Sequence, residues 1–373
     1  MTVLAAGLRV VVSEFGETPP DAMNRFVTLQ PMPAPDPATL GPGEVLVEIR
    51  SASVGWVDLL MTSGQYQHMP SPPYTPGLEY AGVIVAKGAL AAPAFQVGDS
   101  ILVDPFLAGP RSLGAHQRSG GWASYAVVPG DAVLRIPGKL SLDAACNLLG
   151  NYETAYHCLL TRGRLRAGEW VLVHGASGST GLAAVEIAKL SGAKVIATGR
   201  SEAKLRIVTE RGADHVLCTG EADGGVASLG ERVKALTSGL GVDVVYDGVG
   251  GDISVASLRC VAFGARYLVV GWAATPFVAR GKGGRGAPNA NVLPTNLILI
   301  KGLDVLGCPT AIATAHDPSI RAPRLAQILA WAEHGKISPH VSHVFPLSQV
   351  LPAMRAKWTG EVVGGCVLHP QDG

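Results

Sequence analysis

The sequence predicts a two-domain α/β chain, with one compact, partly barrel-like, mostly β domain and one doubly wound parallel sheet of the Rossmann kind. Three observations predict it. Short β-like runs separated by Gly and Pro fill the first part of the chain, and the pattern changes near Cys146 to alternating helices and strands. At 171–184 an apolar run ends in Gly175, Gly178 and Gly181, and an amphipathic segment follows at once. With 373 residues and 47% hydrophobic content, the chain can bury two cores.

In chain order, the runs at 44–49, 80–85, 100–103 and 125–128 read as strands bounded by turn residues. A helix is predicted at 144–160. Strand 171–173, helix 182–190 and strand 194–198 form a βαβ unit, after which Ser201 is placed to cap a helix through Lys204 and Leu205. Strands at 242–247, 265–270 and 303–306 continue an alternation that makes a parallel sheet covered on both faces. From about Thr310 a helix at 324–333, a strand at 341–345 and a short helix at 351–357 are expected to return to the first domain. The expected division is 1–146, completed by 311–373, against 147–310.

The turn at 175–181 has the makings of a dinucleotide pyrophosphate site. Glycine permits backbone angles that a Cβ forbids and lets the main chain approach phosphates, while the first N–H groups and dipole of the new helix attract negative charge. Ser177, Gly178, Ser179, Thr180 and Gly181 are the predicted contacts. Where an NAD site usually holds Asp or Glu against the ribose hydroxyls, the chain reads Thr198-Gly199-Arg200-Ser201, with Lys204 a helical turn further on. A guanidinium grips a 2′-phosphate in fork geometry and Ser and Lys add donors, so the expected cofactor is NADP(H). A solvated helix face would carry the same cations; the missing acid is what sets these apart.

The charge balance of 30 basic against 29 acidic residues argues against a general nucleic-acid or acidic-membrane surface. No apolar run reaches the ~18 residues of a spanning helix, and the first residues lack a secretory signal pattern. Six scattered cysteines without a CxxC pair are expected of a reduced, cytoplasmic protein.

Several motifs occur in a telling order: Pro76-Gly77-Leu78-Glu79-Tyr80-Ala81-Gly82, Val97-Gly98-Asp99, Gly120-Gly121-Trp122-Ala123-Ser124-Tyr125, Thr154-Ala155-Tyr156, the stretch from Gly168 to Ala176, Asp247-Gly248-Val249-Gly250, and Leu293-Pro294-Thr295-Asn296-Leu297 with Lys301-Gly302. Together they resemble the medium-chain dehydrogenase/reductase superfamily, and within it the zinc-free NADPH:quinone oxidoreductase (zeta-crystallin-like) branch. The resemblance implies a GroES-like first domain and hydride transfer from NADPH to a quinone or other conjugated carbonyl. The alternatives it leaves are an enoyl-thioester or enone double-bond reductase and a non-catalytic NADPH-binding protein. It also implies that Thr154 sits at the nicotinamide end, that Gly248, Val270 and Gly271 line the cofactor, and that a homodimer joins sheet edges through 303–306 or its neighbour.

Alcohol dehydrogenases of the superfamily hold catalytic zinc through a Cys and through the His of a Gly-His-Glu motif. Here Gly55-Trp56-Val57-Asp58 lacks the Cys and Leu78 stands beside Glu79, so no metal site is expected; His68, His116 and His157 have no partners at ligand spacing. Without a Lewis acid, suitable acceptors are already electrophilic. The family's enoyl-thioester reductases use a Tyr spaced as Asp58, Gly64 and Tyr66 are here, which makes Tyr66 the expected proton donor or substrate-orienting hydroxyl. The alternative is that Tyr66 only packs a loop edge. Trp56, Leu60 and Tyr66 are the expected pocket; Gly55 and Leu60 stand where relatives often have Asn and an aromatic, so Trp56 is the substitute aromatic surface. The Arg- and Gly-rich loop at 279–287 is either a screen for an anionic substrate or a solvated loop.

Overall fold

The computed structural model describes residues 4–67, 69–112, 114–220, 225–274 and 292–372. They group into two compact units, one comprising Met1–Gly150 with Ser338–Gly373 and the other Asn151–Val278 with Ala287–Ile337. Residues 311–337 therefore group with the second unit, and the loop at 279–287 lies outside the described residues.

The first unit holds β1 (Gly7–Val12), α1 (Pro19–Arg25), β2 (Val27–Met32), β3 (Glu44–Ser53), α2 (Trp56–Met61), β4 (Tyr80–Lys87), β5 (Ser100–Val103), β6 (Tyr125–Pro129), β7 (Val133–Arg135) and α3 (Leu142–Ala145). The chain passes to the second unit within α4 (Leu149–Tyr156). There lie β8 (Trp170–Val173), α5 (Ser179–Leu190), β9 (Lys194–Gly199), α6 (Glu202–Glu210), β10 (His215–Cys218), α7 (Leu229–Leu236), β11 (Val242–Asp247), α8 (Asp252–Ser257), β12 (Val261–Val269), α9 (Thr295–Lys301), β13 (Asp304–Gly307), α10 (Thr310–His316) and α11 (Arg321–Glu333). β14 (Val341–Pro346), α12 (Val350–Thr359) and β15 (Gly365–His369) return to the first unit.

In the first unit β14-β15-β3-β4-β5-β7 form one sheet with β6 also on β3, antiparallel except for β14 with β15. Val367 and Leu368 pair with Ser53 and Ala52, so the chain's last strand completes a sheet begun near its start. The second unit is a six-stranded, all-parallel sheet in the order β10-β9-β8-β11-β12-β13. Numbered within the unit, this is the doubly wound order 3-2-1-4-5-6, with β8 first and the crevice for a dinucleotide where the winding reverses. Its central strands are apolar on both faces, as strands covered by helices must be; Val171, Leu172, Val173, Val195, Ile196, Val244 and Val245 are fully buried.

The expected helix at 144–160 is not continuous. Ser141 caps α3, its hydroxyl accepting from Ala144 N at 3.1 Å, and Asn147 Nδ2 donates to Asp143 O at 2.9 Å. That carbonyl is drawn off the helical ladder, and the chain turns before α4 begins. α4 then runs into a π turn at His157–Arg162.

Candidate active site

The glycine turn follows β8 directly. Gly175 has φ +62° and is exposed, as is Gly178, the N-cap of α5. A Cβ on Gly181 would stand 2.4 Å from Gly175 O and 2.7 Å from Ala176 Cα, so a side chain there would push the turn off the helix start. The residues fit a dinucleotide pyrophosphate: the first amides of α5 have no intrahelical acceptor and are aimed beyond a surface that glycines keep bare. Ser177, Ser179 and Thr180 are half-buried around it, and Thr180 Oγ1 donates to Asn151 Oδ1 at 3.0 Å, tying the turn to α4.

His174, beneath the turn, was not singled out from the sequence. It is buried, with Nδ1 2.9 Å from Thr198 Oγ1 and Nε2 2.6 Å from Ser257 Oγ. Ser257 gives its proton to Ile253 O at 2.7 Å, so Nε2 donates to Ser257 and Nδ1 accepts from Thr198. Burial lowers the His174 pKa and favours this neutral ring, which ties the ends of β8 and β9 to α8.

Asp247, at the end of β11, accepts from Val249 N at 2.8 Å, Gly250 N at 2.9 Å, and the Ser254 and Tyr267 hydroxyls at 2.5 Å each. Burial opposes its charge, but the hydrogen bonds donated by Ser254, Tyr267 and Gly250 outweigh it and hold the carboxyl below its usual range. Its main-chain oxygen accepts from Val270 N and Gly271 N at 2.9 and 3.2 Å, and a Cβ on Gly271 would come within 3.3 Å of Gly248 O. Gly248, Val270 and Gly271 are therefore neighbours at the carboxyl ends of β11 and β12. At the end of β9, Arg200 is exposed while Ser201 and Lys204 are half-buried. Ser201 is the N-cap of α6 in position only, since its hydroxyl makes no capping bond.

Thr154 is half-buried on α4, which is held from two sides. Tyr152 donates to Glu186 Oε2 on α5 at 2.7 Å, and the buried Glu153 accepts from Arg321 and Arg324 of α11, at 2.8 Å each. Neither arginine was visible as a site residue in the sequence, because each meets Glu153 only through the fold.

In the first unit, Asp58 organises the expected pocket. It is buried, accepts from Gly55 N at 2.9 Å across the start of α2, and accepts from Gly77 N and Leu78 N at 3.2 and 2.9 Å. These bonds fix α2 against the 76–79 loop. Desolvation pushes the Asp58 pKa up to about 6, against the backbone donors and the Arg111 charge, which lower it. Because the folded state holds this proton more tightly than the unfolded chain, stability falls as pH rises from 3.8 through about 6, by about 3 kcal/mol. Denaturant titrations of Asp58→Asn should show that slope removed relative to the parent; an unchanged slope would contradict this.

Trp56 stacks on Trp358 of α12, ring centroids 5.2 Å apart and planes 3° from parallel, so the aromatic surface expected of one residue is built by two. Leu60 and Tyr66 are half-buried. Among the described residues the Tyr66 hydroxyl has no hydrogen-bond partner, and Gln65 Nε2 beside it is buried and unpartnered. Of the scattered histidines, His68 lies outside the described residues, His116 is 3.5 Å from Glu44, and His157 is buried with neither ring nitrogen bonded. Among the described residues no three His, Cys, Asp or Glu side chains group to hold a metal.

A doubly wound sheet with a glycine turn suited to phosphate, in a chain that also holds a mostly antiparallel β unit, is the architecture of a dinucleotide-linked oxidoreductase. Residues 41–138 match the alcohol dehydrogenase GroES-like domain and residues 179–312 match the zinc-binding dehydrogenase family. The chain is 32% identical to a quinone oxidoreductase-like protein 2 homolog of Nematostella vectensis, over 87% of this chain and 82% of that one. It is 30% identical to human quinone oxidoreductase, over 83% and 84%. Its fold matches mycobacterial Rv1454c, solved in complex with NADPH, with a TM-score of 0.76 and 25% identity over 98% of this chain and 100% of that one. The chain belongs to the medium-chain dehydrogenase/reductase superfamily, among its quinone oxidoreductase-like members, and is an oxidoreductase.

Proposed function

We propose that the protein is an NADPH-dependent reductase that transfers hydride, without zinc, to a quinone or another small conjugated carbonyl acceptor. The observation that carries this is the end of β9, where Arg200, Ser201 and Lys204 stand in place of a ribose-binding acid; in keeping with it, the segment Gly55-Trp56-Val57-Asp58 of the other unit has no Cys and Leu78, not His, precedes Glu79. The nicotinamide supplies the hydride when bound. The chain's own work is to hold its ends: Ser177 to Gly181 take the pyrophosphate, Arg200, Ser201 and Lys204 the 2′-phosphate, and Thr154, Gly248, Val270 and Gly271 the nicotinamide side. Trp56 and Leu60 present the acceptor with an apolar wall, and the name of the human relative, quinone oxidoreductase, supports this acceptor class.

Tyr66 carries the second reading, reduction of an enone or enoyl thioester, because this half-buried residue follows the Asp58 and Gly64 spacing. Tyr66→Phe should lower kcat on crotonyl-type substrates about tenfold, the worth of one hydrogen bond, and leave quinone turnover nearly unchanged. Equal loss on both substrate types would place Tyr66 in binding common to both; no loss on either would make it a packing residue.

The assembly reading is a homodimer. β13 is a sheet edge with Val305 39% exposed, and Phe263, whose ring lies against Gly302, is 83% exposed beside it. Phe263→Asp should yield a monomer by light scattering. No described helix is long and apolar enough to cross a membrane, and the six cysteines are free, in keeping with work in a reducing cytoplasm.

A further inference from the structure

His174 joins the three segments to which the parts of the coenzyme are assigned. Its main chain enters the pyrophosphate turn at the next residue, Gly175. Its Nδ1 meets Thr198 Oγ1 at 2.9 Å, on the strand that runs out into Arg200, Ser201 and Lys204. Its Nε2 meets Ser257 Oγ at 2.6 Å, at the end of α8, the helix that follows the Gly248 loop. Neighbouring contacts bring the same segments together. Ala176 N donates to Thr198 O at 3.0 Å, Ser254 of α8 donates to Asp247, and a Cβ on Gly175 would stand 2.9 Å from Val249 Cγ2. His174, Thr198 and Ser257 are all buried, so water does not compete for either bond of the ring.

We propose that His174 is a positioning residue that sets the affinity for the two ends of the coenzyme separately, through Thr198 for the 2′-phosphate end and through Ser257 for the nicotinamide end. The inference rests on the coenzyme contacts proposed above. A dinucleotide engages all three segments at once, so its affinity depends on their spacing being fixed before it arrives. Each ring nitrogen fixes one spacing. The Thr198 bond holds the pyrophosphate turn against the Arg200 cluster, and the Ser257 bond holds it against the Gly248 loop. A neutral imidazole suits the task because it is rigid and offers one donor and one acceptor at separate positions. The Ser257 hydroxyl gives its proton to Ile253 O, so Nε2 is the donor and Nδ1 the acceptor. No amide side chain makes both bonds. Asn places an oxygen where Nδ1 stands and reaches Thr198; Gln places a nitrogen where Nε2 stands and reaches Ser257.

That division supplies the test, calorimetric titration of adenosine 2′,5′-bisphosphate and of NADP+ against the full-length parent, His174→Asn and His174→Gln. The bisphosphate carries the adenosine-side phosphates and no nicotinamide. His174→Gln, which cuts the Thr198 bond, should raise the Kd of both ligands about tenfold, the worth of one hydrogen bond. His174→Asn, which cuts the Ser257 bond, should raise the Kd of NADP+ about tenfold and leave that of the bisphosphate within about twofold. Simple loosening of the sheet would instead weaken both ligands alike in both variants, and that result, or no weakening in either variant, would overturn the inference while coenzyme binding stood. Nitrogen-15 NMR of the parent needs no variant to fold: His174 should be the Nε2–H tautomer, and an Nδ1–H ring would overturn the assignment of its bonds. A parent that binds neither ligand would overturn the coenzyme reading itself, and this inference with it.

Discussion

Glu153→Ala is expected to destabilise the second unit by about 3–5 kcal/mol, read as a fall in the denaturant midpoint. Glu153 and Arg324 are 1% and 2% exposed, and one carboxylate takes hydrogen bonds from Arg321 and Arg324 together. Deleting the carboxylate leaves a buried guanidinium with Thr314 Oγ1, at 2.8 Å, as its remaining partner, and an uncompensated buried charge costs far more than the intact pair contributes. Replacing Glu153 and Arg324 together, by Gln and Met, should cost less than Glu153→Ala alone; a double variant as unstable as the sum of the singles would contradict this account of the pair. Because Glu153 precedes Thr154, the single variant should also weaken nucleotide binding.

The second large effect concerns coenzyme choice. Arg200→Ala with Lys204→Ala removes two charged donors proposed for the 2′-phosphate, each worth about 1.5–3 kcal/mol, so the Kd for NADPH should rise by about two orders of magnitude or more. NADH, which lacks the phosphate, should bind nearly as before. Calorimetric titration of both coenzymes against the parent and the double variant measures this. Parallel weakening of both would place these residues in a role common to the two coenzymes.

Much of this was legible in the sequence, for reasons that differ by element. β8, β9 and β11 declare themselves because strands buried on both faces are continuous apolar runs, and the glycine turn does so because Gly175 and Gly181 are demanded by backbone angle and close approach. Helix 144–160 misled because its composition is helical, whereas the break is made by the Asn147 side chain drawing off a carbonyl. The supports of the site were hidden. His174 meets Ser257 across 83 residues and Glu153 meets Arg324 across 171, and no local pattern encodes such pairs. Trp56 was recognisable as an aromatic wall, but Trp358 became its partner only once the tail had folded back to the first unit. Asp58 stood in a spacing motif; that its carboxylate binds three backbone amides was knowable only from the folded loop.

The most direct test of the reductase account is the steady-state rate of NADPH and NADH oxidation with a panel of quinones, enones, alkenals and enoyl-CoA esters, on protein dialysed against a strong chelator. The account predicts turnover of at least one conjugated carbonyl, a kcat/KM for NADPH more than about tenfold that for NADH, and rates untouched by chelation. Activity lost to the chelator and restored by zinc, equal use of the two coenzymes, or nucleotide binding with no turnover of any acceptor would contradict it.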